Sequence, residues 1–127
     1  MRYGFSRVVN LSYVQAVEKM KEELKKERFG VLTTIDVQDK LKQKLGLDFK
    51  KYVILGACNP PLAHQALEAE EEIGLLLPCN VIVYEKGRET VVAAFDPQVM
   101  AKIIENPAVD TIADEVKSRL QRVLEAV

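Results

Sequence analysis

The stretch CNVIVYEKGRETVVAAF, residues 79–95, decides the fold. Two runs rich in β-branched residues, Cys79–Glu85 and Arg88–Phe95, flank Lys86-Gly87. A turn that tight joins antiparallel strands. Neither run alternates cleanly between apolar and polar. Val81 and Val83 oppose Ile82 and Tyr84, and Val92 and Ala94 oppose Val91, Ala93 and Phe95. The run upstream, Tyr52–Cys58, behaves the same way: Val53, Leu55 and Ala57 lie against Tyr52, Ile54, Gly56 and Cys58. A strand covered on one face alternates. These three do not, so both faces of the sheet centre are expected to be covered.

Further out, Arg2–Asn10 alternates moderately and reads as an opening strand. Ser12 and Gln15 have the form of a capping box. A helix is expected over Tyr13–Arg28, with Val14, Val17, Met20 or Lys21, and Leu24 inward and Gly30 as its left-handed cap. Val31–Val37 reads as a second strand. Asp39–Leu45, closed by Gly46, reads as a short helix whose Lys40, Lys42 and Lys44 form a solvated face. Asn59 is a helix cap, with Pro60 where a missing amide costs nothing, and that helix is expected to reach Glu72 and stop at Gly74. Asp96-Pro97 opens a short helix to Ile104, and Asn106-Pro107 opens the last one. Val109, Ile112, Ala113, Val116, Leu120, Val123, Leu124 and Val127 follow steps of three and four along it. The class is α+β, a mixed, largely antiparallel sheet packed against helices. The first and last helices should take one sheet face. The second face needs the middle helices or another subunit. So short a chain is expected to lack enough helix for both faces, and a homodimer is expected.

The 127 residues fit one domain, 1–127. Hydrophobic residues are 48% and charged residues 29%, the proportions of a globular protein. A formal net charge of −1 gives no general attraction to nucleic acid or to an anionic membrane. No apolar run approaches the ~20 residues that span a bilayer, and Met1–Ser6 has no signal-peptide core. Two cysteines are too few for a disulfide framework. The expected setting is cytoplasmic. There is no phosphate-binding glycine loop, no dinucleotide fingerprint, no His-Glu-x-x-His and no Gly-x-Ser-x-Gly elbow. Without tryptophan, and with 6% aromatics, a base-stacking surface is hard to build.

Chemistry concentrates at Leu55–His64. Cys58 ends a strand and precedes a proline-opened helix, where free amides would favour a thiolate or an anionic ligand. The plain alternative is a buried cysteine acting as a small hydrophobe. Cys79 lies at no zinc-ribbon spacing from Cys58, and no metal or other cofactor is expected. His64, the one histidine, is expected at the surface. Asp96 is a cap that would border a pocket with Cys58 if their strands share an end. The acidic run Glu68, Glu70, Glu71 and Glu72 sits at a helix C-terminus, where the dipole disfavours it.

Gly-x-Cys-Asn-Pro-x-x-Ala at Gly56–Ala63, then Leu77-Pro78-Cys79-Asn80-Val81, then Asp96-Pro97, in this order and spacing, resembles the domain of unknown function 302 family. The resemblance covers essentially the whole chain. It implies a β-α-β(4)-α fold and the signature residues Cys58, Asn59, Pro60, Cys79, Asp96 and Pro97, but no activity. The expected function is a dimeric binding or accessory domain with a small-ligand pocket near Cys58 and Asn59. Ligand-binding candidates are Cys58, Asn59, Pro60, Cys79 and Asp96, and the helix dipole argues for a small anionic ligand. Two alternatives stand beside it: thiol redox or metal-dependent activity at Cys58 and Cys79, and a purely structural interaction module.

Overall fold

The apolar runs that decide the class form the centre of one sheet. In the computed structural model, which describes residues 1–127, the strands are β1 (Gly4–Val9), β2 (Gly30–Asp36), β3 (Tyr52–Cys58), β4 (Cys79–Lys86) and β5 (Glu89–Phe95). Their order across the sheet is β1-β5-β4-β3-β2. Every neighbouring pair is antiparallel, so the largely antiparallel sheet expected is antiparallel throughout. Lys86 pairs with Glu89 and Gly87 takes φ +62°, so the turn is Gly87-Arg88, one residue later than its sequence suggests.

The helices are α1 (Tyr13–Lys26), α2 (Val37–Leu45), α3 (Pro60–Ala69), α4 (Pro97–Ile104) and α5 (Pro107–Ala126). The capping box forms: Gln15 N donates to Ser12 Oγ and Ser12 N to Gln15 Oε1, each at 3.1 Å. The inward stripe of α1 is rotated from the expected one. Ala16, Met20 and Leu24 are buried, whereas Val14 is exposed. Ala16 has no bulk to hold the helix off the sheet. Glu23 is buried and held by Lys26 Nζ at 3.0 Å from both carboxylate oxygens. The left-handed residue after α1 is Arg28 (φ +67°), not Gly30. Buried Phe29 then bonds back to Leu24 O at 2.9 Å, and Gly30 already belongs to β2.

The main core lies between one sheet face (Val53, Leu55, Ala57, Val81, Val83, Val92, Ala94) and the inner stripes of α1 and α5. Val109, Ala113, Val116, Leu120, Val123 and Leu124 of α5 are all buried, as their spacing requires. A second, smaller cluster joins Ala66, Ile73, Met100, Ala101, Val109 and Ala113. The middle helices α3 and α4 therefore pack on α5, not on the opposite sheet face. α2 meets the sheet at β2 and β3 and buries none of its own residues. Ile54, Ile82, Tyr52 and Tyr84 on that second face are half-buried, with Val8 and Ile35 exposed beside them.

α3 stops at Ala69, short of the expected Glu72, and a 3-10 turn covers Glu71–Leu76 with Gly74 inside it. Two causes are visible. The C-terminal carbonyl of Ala69 accepts from Asn106 Nδ2 at 2.9 Å. Ile73 is drawn into the second cluster, away from the acidic run that a continued helix would carry at its negative end.

Candidate functional site

β3 and β5 run in the same direction with β4 between them, so both end at one end of the sheet. Asn59 and Asp96 follow those ends and open α3 and α4. Between the helices and the sheet end is a cavity of about 310 Å3. Its floor includes Ala57 and Cys79, which pair across β3 and β4, and its walls are Leu62, Ala66, Met100, Ile112, Ala113 and Val116. No charged residue lines it, and Asn59 is the one lining residue with an amide side chain.

Of the sequence candidates, Cys58, Asn59 and Cys79 line this cavity. Pro60 and Asp96 do not, although Pro97 does. Asp96 accepts from Gln98 N at 2.9 Å and from Lys117 Nζ at 3.0 Å, which makes it a cap tied to α5. His64 is exposed, with Nε2 at 3.2 Å from Glu68 Oε1. No three side chains among His, Cys, Asp and Glu converge closely enough to hold a metal ion.

The start of α3 differs from the expectation of a free, anion-attracting helix end. Pro60 and Pro61 have no amide hydrogen. Leu62 N donates to Asn59 Oδ1 at 3.3 Å, and Ala63 N to Asn59 O at 2.8 Å. The two prolines and the cap thus remove three of the four free amides of this helix start, which weakens the dipole reason for an anionic ligand and for a stabilised thiolate. Burial instead raises the pKa of both thiols. Cys58 is shifted upward, and Cys79 is pushed up to about 11, chiefly by desolvation and then by its proximity to Cys58. Both cysteines are free thiols.

Several lining residues carry no sequence motif. Leu32 reaches the rim because β2 slips register between Val31 and Thr33, a bulge that turns this leucine out. Leu62 with Ala66, and Ala63 with Leu67, form two i,i+4 rows on α3, more apolar surface than its packing on α5 consumes. That excess was the available signal.

No helix is long and apolar enough to cross a membrane. No curated protein matches the chain. The chain is similar to the crystal structure of an uncharacterized conserved protein DUF302 from Bacillus stearothermophilus, at 32% identity and a TM-score of 0.92 over 99% of this chain and 98% of that one. The family model described as Domain of unknown function DUF302 matches residues 5–127, spanning the sheet, the five helices and the cavity between them. The chain therefore belongs to the DUF302 family.

Proposed function

We propose that this protein is a dimeric binding domain that holds a small ligand in the cavity where the end of β3 and the start of β4 meet the helices, in a cytoplasmic setting. The observation that carries the reading is the cavity itself: about 310 Å3, at the low end of small-molecule sites, and bordered by Cys58, Asn59 and Cys79. A binding role fits better than thiol catalysis, because burial keeps both thiols protonated near neutral pH. Free thiols suit a reducing compartment. The dimer is supported by the second sheet face, where apolar Ile54 and Ile82 are only half-buried and Val8 and Ile35 beside them are exposed.

A thermal-shift screen of a metabolite panel tests the binding. Wild type should be stabilised by at least one compound, as mass action requires of a ligand specific to the folded state. Ala66→Leu, which puts bulk into the cavity, should lose that shift. A panel that shifts neither protein, or both equally, contradicts the site.

A further inference from the structure

We propose that the ligand is a single unbranched alkyl chain of about eight to twelve carbons, gripped by its hydrocarbon, with its polar head left at the cavity mouth in water. This rests on the cavity being a ligand site, as read above.

Ligand sites are usually apolar with a few placed polar groups that orient the ligand. Here most of those groups are missing or already used. Asn59 Oδ1 accepts from Leu62 N at 3.3 Å, and Asn59 Nδ2 donates to Glu27 O at 3.4 Å. The first amides of α3 are absent or bonded within the cap. The two thiols are neutral and weak hydrogen-bonding groups. A sugar, a nucleotide or an inorganic anion would lose its hydration there and gain nothing in return. An alkyl chain loses none.

Size sets the length. The cavity is about 310 Å3. A methylene is close to water in size, at about 30 Å3, so about ten such units fill it. Adaptable Met100 and the leucines of α3 suit a flexible chain. Leu32 and Leu67 line the cavity and are also exposed, so its rim offers apolar contact and no charge to select a head group. Two phospholipid chains exceed the volume, so the source is a free single-chain amphiphile.

Calorimetric titration of the full chain with 1-hexanol, 1-octanol, 1-decanol and 1-dodecanol tests this, together with decanoate and decyltrimethylammonium below their micelle concentrations. Affinity should rise about fourfold per methylene up to about ten carbons and then level off. The three ten-carbon heads should agree within about threefold. Ala66→Leu should shorten the length at which the plateau begins. Leu67→Glu, at the exposed rim, should weaken decanoate by a larger factor than decanol, and it remains a test if Ala66→Leu misfolds.

Affinity independent of chain length, or a tenfold preference for one charged head, overturns the alkyl assignment. So does co-flotation with phosphatidylcholine vesicles without binding of the free alcohols. If the alcohols fail while a compound from the metabolite panel stabilises wild type but not Ala66→Leu, the alkyl assignment falls and the binding site stands. If nothing binds in either experiment, both fall.

Discussion

Gly56 pairs with Asn80 at the sheet centre, and a Cβ there would run into Thr33 Oγ1 and come within 2.9 Å of Pro78 Cγ. The glycine is needed for this close approach. Gly56→Ala should destabilise the fold by about 1–3 kcal/mol in urea titration, the usual cost of overpacking. Thr33→Ala removes the nearer obstacle and should recover part of that loss in a double-mutant cycle. Purely additive losses would show that Thr33 is not what the new methyl meets. Cys79 makes a pH prediction. Its pKa is about 11 when folded, against about 8.5 for a free thiol. A raised value means that the folded state holds the proton more tightly. The stabilisation is therefore complete below about pH 8.5 and fades as pH climbs toward 11. By pH 11 wild type should have lost about 3 kcal/mol more than Cys79→Ala, measured by denaturant titration at each pH. Equal slopes for the two proteins would contradict the burial of this thiol. At this scale the sequence marks Cys58, Asn59 and Cys79, which line the cavity, and leaves open whether the thiols are reactive or buried. Cys58 stands out by its place before a helix, but the two prolines and the Asn59 cap remove three of the four amides that would stabilise a thiolate.

Two asparagine caps tie the helices to one another. Asn59 caps α3 and donates to Glu27 O at the end of α1, while Asn106 caps α5 and donates to Ala69 O at the end of α3. A cap needs only an acceptor, and Asp would serve. The second bond needs a donor, which explains the amide at both places. Asn106→Asp keeps the cap oxygen but sets a carboxylate against the Ala69 carbonyl and near Glu70. It should cost about 1–3 kcal/mol in thermal or urea unfolding. A neutral result would mean that the Ala69 bond contributes nothing. Capping signals made the starts of α3, α4 and α5 readable to the residue. Helix ends were less readable. Arg28 takes the left-handed position where Gly30 was expected, because Phe29 must turn into the core. Ala69 ends α3 because Asn106, 37 residues away, claims its carbonyl. Tertiary partners of this kind leave no local trace.

The whole molecule is a sheet whose main core lies under α1 and α5 on one face, and the unbroken apolar character of β3, β4 and β5 already implies a second face to be covered. If a second copy covers it, Ile82→Lys places a charge in that interface. The variant should sediment as a monomer at micromolar concentration while wild type sediments as a dimer. A monomeric wild type would remove the dimer from the account. The cavity was far less legible than the sheet. It forms where the ends of β3 and β4 meet α3, α4 and α5, and no one segment carries its shape. The sequence located its border at Cys58, Asn59 and Cys79 but not its apolar character, which comes from Leu62, Ala66, Met100 and Val116 meeting at long range.

Native mass spectrometry under reducing conditions, beside the denatured mass, tests most directly whether the cavity holds a ligand. The protein should be measured as purified and again after incubation with a lipophilic cell extract. The chains should carry additional small-molecule mass, lost on denaturation and reduced in Ala66→Leu. Chains at the bare sequence mass under both conditions would contradict it.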